Sequence, residues 1–428
     1  MDSFSIHGPA TLQGTVAASG AKNAALPALA GSLLCDGTAQ IENVPQVQDV
    51  RTMARVLEHL GAGVRLEPSS DTPSARLEID GASLRSDRDA PYELVKTMRA
   101  SVLVLGPLLT RFGRARVSLP GGCAIGERPI DQHLAGLEAM GADIRVEHGY
   151  VEARCKRLSG ASFRFAMPTV TGTENLVMAA TLARGTTVLD NCAQEPEIVD
   201  LCDFLRSMGA RIQGDGHPRI EIEGVERLEG ADHTVCGDRI EAGTYLIAGV
   251  MTGGDVEVTG VEPASLQPLV ERLRASGAQV EEGADLLRAT AGDSLRGTDV
   301  ITAPHPGFAT DLQAQFLALL TQAEGRSSVV ETVFENRFQH VPELRRMGAQ
   351  IEVQGNTARI DGPVALSGAR VMATDLRASA SLVLAGLVAD GITEVDRIYH
   401  LDRGYQGMES KLQKLGARVQ RVRSGPNA

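Results

Sequence analysis

The segment LPGGCAIGERP, residues 119–129, presents one cysteine, Cys123, among three glycines and two prolines. Glycine and proline at this density predict a mobile loop rather than a helix or a strand. The guanidinium of Arg128, five residues further on, would favour the thiolate form over the thiol. Cys123 is therefore a candidate acid or nucleophile, although an ordinary loop cysteine would look the same from this segment alone.

Polar and charged residues also stand where apolar helices are predicted to begin. Lys22 lies in the stretch SGAKN, which precedes an apolar run with no other charge until Asp36. Helix N-termini bind anions, because their backbone N–H groups are unpaired and carry a partial positive charge. Lys22, Arg99 and Arg377 therefore indicate local anion sites, although a solvated surface lysine is the alternative for Lys22. The polar helix starts lie at residues 19–23, 96–101, 170–175, 238–243, 310–313 and 374–379.

Two aspartates, Asp311 and Asp375, precede such helices, and both have a second interpretation. Asp before an apolar helix commonly caps it through its carboxylate, so capping is the alternative to a chemical role for either residue. Two further cations, Arg337 and Arg403, lie in later loops, in FENRF and LDRGY.

The charge and composition argue against several classes of partner. The formal net charge is -12 at pH 7, whereas nucleic acids and anionic membranes demand a basic surface. Trp is absent and aromatic residues make up 3% of the chain, which argues against base stacking and aromatic sugar platforms. Anionic substrates would need a local cluster of Lys and Arg side chains on this otherwise acidic protein.

Length and cysteine content bound the domain count and the compartment. A chain of 428 residues exceeds what one hydrophobic core usually supports, so two domains are expected. The six cysteines form no CxxC pair and no metal-type spacing with histidine, so we expect no disulfide frame, metal or cofactor. No signal sequence or run of ~18 apolar residues occurs. A soluble cytoplasmic protein is predicted, with no protein partner evident.

Two sequence markers recur six times at a spacing of about 70 residues. A Gly-Ala step occurs at 61, 141, 209, 277, 348 and 416, with gaps of 80, 68, 68, 71 and 68 residues. A glycine followed three or four residues later by Val or Ile precedes each step by 23 to 28 residues, at 37, 113, 185, 253, 325 and 391. Because two independent markers keep the same period, the chain is predicted to contain six copies of one unit.

Each unit is predicted to be α/β. In the third, an apolar helix (176–183) precedes a strand (187–190), an amphipathic helix (196–208) and another strand (210–213). The apolar helix should be buried on all sides. We therefore predict helices inside and sheets outside, three units to a domain. A long solenoid is the alternative, but its usual period is only about 20–50 residues.

The motifs together resemble the enolpyruvyl transferase family, and within it the members that act on UDP-N-acetylglucosamine. The resemblance runs essentially from end to end. It is carried by SGAKNAALPALA (from 19), PYELVKTMRAS (91), LPGGCAIGERPID (119), EPEIVD (195), DRIEAGTY (238), TDLQAQF (310), ETVFENRF (331), TDLRASASLVLAG (374) and DRIYHLDRGY (396).

The resemblance implies two inside-out α/β barrel domains of three repeats each, with a cleft between them. One domain would be residues 22–235 and carry the cysteine loop. The other would join 1–21 to 236–428 and carry Asp311 and Arg403. The implied reaction transfers the enolpyruvyl group of phosphoenolpyruvate to the 3'-hydroxyl of UDP-N-acetylglucosamine, with release of phosphate, as the first committed step of peptidoglycan synthesis.

The resemblance also assigns catalytic roles. Cys123 would be the proton donor, able to form a covalent adduct with phosphoenolpyruvate, and Asp311 would accept the hydroxyl proton. A carboxylate at a helix start should be a weakened base, so orienting the hydroxyl is an equally open role for Asp311. Lys22 and Arg403, with Arg128, are similar to the phosphate-binding cations of the family.

Further residues match substrate-binding positions. Asn23 stands beside Lys22, and Arg337 and Arg377 would assist at the carboxylate and in domain closure. The positions that would contact the UDP-sugar are Arg99, Arg128, Pro129, Ile130, Asp131, Gln132, Asp311 and Val333.

One segment departs from the family pattern. Family members often carry Lys-x-Ser-Val-Gly near the diphosphate, whereas this chain has MPTVTG at residues 167–172. Backbone N–H groups near Thr171 and Gly172 could serve instead.

Two alternative functions stay open from the sequence. A sibling transferase acting on shikimate phosphate is disfavoured by the Pro-Gly-Gly-Cys loop and by Lys22 with Asn23. A non-catalytic UDP-sugar-binding repeat protein is disfavoured because a binding module needs neither the thiol of Cys123 nor the carboxylate of Asp311.

Overall fold

The computed structural model describes residues 2–68, 74–85, 87–96, 98–119 and 130–423. Contacts between residues divide the chain into two compact units. The inserted unit comprises the described residues of 19–236, and the split unit joins residues 2–18 to 237–423. Each has its own hydrophobic core. The division lies between Ala18 and Ser19 and between Cys236 and Gly237. The domain predicted from the sequence begins at residue 22 and ends at residue 235.

The described residues contain thirteen α-helices. They are α1 (Lys22–Gly31), α2 (Gln48–Leu60), α3 (Tyr92–Val95), α4 (Leu105–Phe112), α5 (Asp131–Ala139), α6 (Val170–Ala180), α7 (Pro196–Ser207), α8 (Arg239–Met251), α9 (Gln267–Ala275), α10 (Gln313–Leu320), α11 (Val341–Arg346), α12 (Leu376–Val388) and α13 (Met408–Lys414). Short 3₁₀ helices span Ser32–Leu34, Arg99–Val104, Pro263–Leu266, Thr310–Leu312 and Ile398–Arg403.

Twenty-three strands lie in the same described residues. They are β1 (Ser3–Gly8), β2 (Gln13–Ala17), β3 (Thr38–Val44), β4 (Gly63–Pro68), β5 (Ala75–Asp80), β6 (Arg114–Ser118), β7 (Asp143–Glu147), β8 (Tyr150–Arg154), β9 (Ser162–Arg164), β10 (Thr186–Asp190), β11 (Arg211–Gln213), β12 (Arg219–Glu223), β13 (Asp232–Thr234), β14 (Asp255–Thr259), β15 (Gln279–Glu282), β16 (Leu286–Thr290), β17 (Val300–Ile301), β18 (Gly325–Val330), β19 (Gln350–Gln354), β20 (Thr357–Gly362), β21 (Arg370–Met372), β22 (Gly391–Asp396) and β23 (Arg418–Val422).

The strands form six sheets of one topology, three in each unit. In the inserted unit the orders are β13-β3-β5-β4, β6-β8-β7 and β9-β10-β12-β11, and in the split unit β2-β14-β16-β15, β17-β18-β20-β19 and β21-β22-β1-β23. Five of the sheets consist of three antiparallel strands and a fourth, parallel strand at one edge. In one of them, β9 pairs in parallel with β10, and Val188 lies opposite Ser162. The sixth has a single parallel bridge, Ala90 to Val117, in that place.

The helices separate into an inner and an outer set. The inner helices α1, α6, α8, α10 and α12 are almost wholly buried, and all thirteen residues of α8 are. Strands alternate between buried and exposed side chains, as in β12, so each sheet has one solvent face. The predicted α/β architecture of buried helices and outer sheets is confirmed.

The recurrent Gly-Ala step closes each outer helix. At all six steps the glycine has a φ between +95° and +105°, which a residue with a side chain rarely adopts. The following alanine N–H donates to a leucine carbonyl five residues earlier, at 2.9 to 3.0 Å in every unit. This is the Schellman arrangement that satisfies the last carbonyls of a helix, so the repeat marker is a helix stop.

A further marker, Leu-x-Gly, became apparent only from the structure. Among its occurrences, those at 158–160, 228–230, 295–297 and 366–368 stand where the chain enters the parallel edge strand. At Gly160, Gly230 and Gly368 an added Cβ would overlap the backbone of the neighbouring central strand. Glycine is therefore required there by close approach.

We predict that Gly160→Ala destabilises the inserted unit. The methyl group would overlap the backbone of Thr186, and overpacking of this kind costs about 1–3 kcal/mol. Gly63→Ala is the matched control, since its Cβ would meet Asp80 Cβ at an ordinary 3.5 Å. Urea unfolding followed by circular dichroism measures both, and equal unfolding midpoints would contradict the packing argument.

Candidate functional site

In the split unit, the carboxylate of Asp311 is held between two arginines. Asp311 lies in the 3₁₀ turn that leads into α10. Arg337 Nη2 donates to its Oδ1 at 2.7 Å, and Arg377 Nη2 donates to its Oδ2 at 2.8 Å. The side chains of Arg337 and Arg377 are 3% and 4% exposed, and that of Asp311 is 27% exposed. Three residues singled out in sequence analysis are thus in direct contact.

Asp375 and Asp311 differ in whether the side chain caps a helix. The carboxylate of Asp375 accepts from the backbone N–H groups of Arg377 and Ala378, at 2.8 and 3.1 Å, and so caps α12. Asp311 makes no such bond to its helix. Its carboxylate is committed to guanidinium groups instead.

Arg377 keeps a free donor beside this carboxylate. Burial alone would lower the pKa of Arg377. The charge and hydrogen bond of Asp311, together with Tyr405 and Asp238, outweigh burial, so the pKa is raised and the side chain stays charged. Within the described part of the chain, the buried Nη1 of Arg377 has no hydrogen-bond partner. A buried unpaired cationic donor is costly, and an anionic ligand would satisfy it.

A buried carboxylate that sequence analysis missed, Glu331, fixes the surroundings of Asp311. It accepts from the hydroxyls of Thr302 and Thr310 at 2.9 and 2.8 Å, and from the backbone N–H groups of Val333 and Phe334 at 2.8 and 3.2 Å. Glu331 therefore joins the residue before Asp311 to the predicted sugar-contacting residue Val333, which is half-buried. Its place at the start of ETVFENRF was the available signal.

In the inserted unit, Lys22 is the first residue of α1 and Asn23 the second. Lys22 Nζ lies 3.4 Å from Asp49 Oδ2, with side chains 14% and 6% exposed. Asp49 was also missed, because it stands 27 residues away in the first turn of α2. The lysine is therefore a nearly buried, paired cation rather than a solvated one.

The predicted sugar-contacting run begins the outer helix α5. Ile130 is buried, Asp131 is the exposed first residue of α5, and Gln132 is half-buried. Gln132 Oε1 accepts from Ala166 N at 2.7 Å, and Gln132 Nε2 donates to Met167 O at 3.3 Å. Gln132 thus joins the start of α5 to the loop where the family pattern is broken.

Two remaining cations are placed at the ends of short helices. Arg99 begins the 3₁₀ helix Arg99–Val104 in the inserted unit, and Arg403 ends the 3₁₀ helix Ile398–Arg403 in the split unit. Both are half-buried. Arg99 therefore lies just before α4, whereas Arg403 lies between β22 and α13.

Cys123, Arg128 and Pro129 lie outside the described residues. Of the five described cysteines, three are buried and two are half-buried. Burial raises the pKa of Cys192 to about 12 and also raises that of Cys155, which keeps both as thiols.

The described residues contain no group of three or more His, Cys, Asp or Glu placed to hold a metal ion. None of the helices described has both the length and the apolar character that crossing a bilayer requires.

Comparison with known proteins gives a consistent result along the whole chain. A family model described as EPSP synthase (3-phosphoshikimate 1-carboxyvinyltransferase) matches residues 6–412. The UDP-N-acetylglucosamine 1-carboxyvinyltransferase of Anaeromyxobacter sp. (strain Fw109-5) is 58% identical over 426 residues, covering 99% of this chain and 100% of that one. The protein of the same name from Desulfosudis oleivorans (strain DSM 6200 / JCM 39069 / Hxd3) is 53% identical, with the same coverage.

Solved structures show the same fold. The enolpyruvyl transferase NikO from Streptomyces tendae has a TM-score of 0.86 and 27% identity, covering 99% of both chains. EPSP synthase from Acinetobacter baumannii has a TM-score of 0.76 at 20% identity, covering 99% of this chain and 100% of that one. The latter supports the fold alone. The resemblance found in the sequence is confirmed: the chain belongs to the enolpyruvyl transferase family.

Proposed function

We propose that this protein transfers the enolpyruvyl group of phosphoenolpyruvate to the 3'-hydroxyl of UDP-N-acetylglucosamine and releases inorganic phosphate. Full-length relatives at 53% and 58% identity carry the name of that activity. The observation within the chain that carries the proposal is the carboxylate of Asp311 between two buried arginines, one with an unpaired donor. This arrangement suits an acceptor hydroxyl on one side and an anion on the other.

The reaction is an addition followed by an elimination. A proton is added to the methylene carbon C3 of phosphoenolpyruvate while the sugar hydroxyl oxygen bonds to C2 and loses its proton. A proton then leaves C3 as the C2–O bond to phosphate breaks. The vinyl group is restored, and phosphate leaves with the bridging oxygen. The protein must therefore supply a proton donor at C3, a partner for the hydroxyl proton and cations for phosphate and carboxylate.

Asp311 is assigned to the hydroxyl. Two hydrogen-bonded guanidiniums stabilise its charged form, and this stabilisation weakens a carboxylate as a base. We therefore assign Asp311 mainly to orienting the hydroxyl as an acceptor, with its proton accepted as the C2–O bond forms.

The cations are assigned by what they contact. Arg377, whose Nη1 has no hydrogen-bond partner among the described residues, and Arg337 would bind the substrate carboxylate. Lys22, Arg403 and Arg128 would bind the phosphate group, with Asn23 beside Lys22. Fixed cations of this kind commonly provide the largest electrostatic part of the rate enhancement.

The sugar nucleotide would be contacted by a separate set of residues. Val333 is held by Glu331, and Arg99 begins the 3₁₀ helix that leads into α4. The others are Arg128, Pro129, Ile130, Asp131, Gln132 and Asp311.

The cellular role follows from the proposed product. An enolpyruvyl ether of UDP-N-acetylglucosamine is the first committed intermediate of peptidoglycan, so we place the enzyme in cell-wall synthesis in the cytoplasm. Its demand for phosphoenolpyruvate and a sugar nucleotide requires no further cofactor.

Substrate choice is the first prediction. Phosphate should be released from phosphoenolpyruvate when UDP-N-acetylglucosamine is present, and release with shikimate 3-phosphate should stay at the level seen without an acceptor. A coupled phosphate assay with each acceptor, and mass spectrometry of the product, measures this. Turnover with the shikimate ester would favour the sibling activity, and binding without turnover would favour a non-catalytic protein.

Asp311→Asn should lower kcat at least about a hundredfold, because the amide neither accepts the hydroxyl proton nor balances two guanidiniums. Asp361→Asn is the control, since Asp361 forms a surface pair with Arg326 and is 51% exposed. Steady-state kinetics and thermal unfolding of both variants separate chemistry from folding. A folded Asp311→Asn enzyme with near-normal kcat would remove Asp311 from the mechanism.

Cys123→Asp should keep measurable activity and lose inactivation by an epoxide of the fosfomycin type. A carboxylic acid can still donate a proton, but it reacts far more slowly with an epoxide than a thiolate does. Cys155→Ser is the matched control and should be inactivated like the wild type, because burial raises the pKa of that thiol. Inactivation of Cys123→Asp at the wild-type rate would show that another residue is alkylated.

A further inference from the structure

His133 is buried in the inserted unit where α5 meets α6. It stands on α5 and is 2% exposed. Its Nδ1 lies 3.1 Å from the side-chain nitrogen of Asn175 on α6, and its Nε2 lies 3.3 Å from the hydroxyl oxygen of Thr171 in the first turn of α6. The mechanism proposed above uses none of these three side chains.

The orientation of the Asn175 amide is fixed by the neighbouring helix α4. The backbone N–H of Gly106, on α4, donates to Asn175 Oδ1 at 2.7 Å, so the other amide atom is the nitrogen. That nitrogen donates to Val102 O at 3.1 Å and faces His133 with its second hydrogen. A Cβ at Gly106 would overlap Asn175, so the close approach is built into both helices.

The amide in turn fixes the tautomer of His133. Since the amide nitrogen can only donate, Nδ1 must accept, and the single ring proton lies on Nε2. Burial, and then the positive charge of Arg99, lower the pKa of His133 to about 4. The ring is therefore neutral near pH 7, and its Nε2–H donates to the hydroxyl oxygen of Thr171.

The hydroxyl of Thr171 is left with a hydrogen to donate. Its oxygen accepts from His133, and no acceptor for its hydrogen lies within bonding distance among the described residues. Thr171 is only half-buried, so this hydrogen can reach a ligand. The nearby positive charge of Arg99 favours an acceptor that is an anionic oxygen.

We propose that His133 is a positioning residue that makes the Thr171 hydroxyl a hydrogen-bond donor to a diphosphate oxygen of the sugar nucleotide. The inference rests on the proposed function, because UDP-N-acetylglucosamine supplies the anionic oxygen. Gln132, the residue before His133, holds the 166–167 backbone of the same loop. The hydroxyl thus provides a side-chain donor in a loop, residues 167–172, that lacks the lysine common in the family.

Thr171→Val tests the hydroxyl, because valine keeps the shape and removes the donor. The inhibition constant of UDP and the KM for UDP-N-acetylglucosamine should rise about tenfold, as expected for a lost hydrogen bond to a charged group. The inhibition constant of uridine, which has no phosphate, and the KM for phosphoenolpyruvate should be unchanged. Thr171→Ser should bind UDP like the wild type. Thr186→Val, on the exposed side of β10, is the control and should have no effect.

His133→Gln tests the positioning role through a double-mutant cycle. Introduced into the wild-type protein, His133→Gln should weaken UDP binding several-fold. Introduced into the Thr171→Val variant, it should have no further effect, because His133 acts only on the Thr171 hydroxyl. Nitrogen-15 NMR of labelled histidine should show the Nε2–H tautomer and no protonation down to pH 5. An equal effect of His133→Gln in both backgrounds, or an Nδ1–H tautomer, would overturn the positioning role.

The inference and the proposed function fail in different ways. If UDP-N-acetylglucosamine does not bind the wild-type protein, the proposed function is contradicted and this inference with it. If it binds the wild type and Thr171→Val equally well, only the inference is contradicted.

Discussion

The double hydrogen bond from Arg337 and Arg377 to Asp311 is the contact on which the proposed chemistry depends. Neither arginine could be kept charged and buried without a carboxylate, because an unpaired buried cation costs several kcal/mol. Asp311 in turn is held in one orientation, with both oxygens accepting. The result is a preformed group of two cations and one acceptor that needs no rearrangement when charge develops on a substrate, which is how fixed dipoles and ions lower barriers.

The repeated scaffold explains why such residues can be held precisely. Each inner helix is enclosed by its neighbours and sheets, so the residues at its start are set by packing rather than by solvent. Lys22 and Arg377 occupy such starts, and Arg99 begins the 3₁₀ helix that leads into α4. Second-layer residues then fix the details, as Glu331 does for Val333 and His133 does for Thr171.

Local features of the fold could be predicted from the sequence because they recur in all six repeats. The Gly-Ala step was recognisable because only glycine adopts the left-handed φ that ends each outer helix. The Leu-x-Gly marker was not recognised, because its glycine has ordinary dihedral angles and is required only by contact with a strand 26 residues away, as Gly160 is by Thr186.

The site was predictable in its residue types but not in its partners. Sequence placed Asp311, Arg337 and Arg377 among the candidates, yet capping remained open for Asp311 until the two guanidinium contacts were seen. Asp49 and His133 were missed because their partners Lys22 and Thr171 are distant in sequence. Glu331 was missed because its contacts with Thr302 and Thr310 exist only in the folded chain. The partners of such a carboxylate or imidazole cannot be read from the neighbouring sequence, because only the fold brings them into contact with it.

The measurement that tests the account most directly is the fate of the bridging oxygen of phosphoenolpyruvate. Substrate labelled with ¹⁸O at the C2–O–P position is converted in the presence of UDP-N-acetylglucosamine, and the phosphate and organic product are analysed by mass spectrometry. Addition followed by elimination predicts that the label leaves entirely with phosphate. Label retained in the organic product would mean that the P–O bond breaks, which would contradict enolpyruvyl transfer.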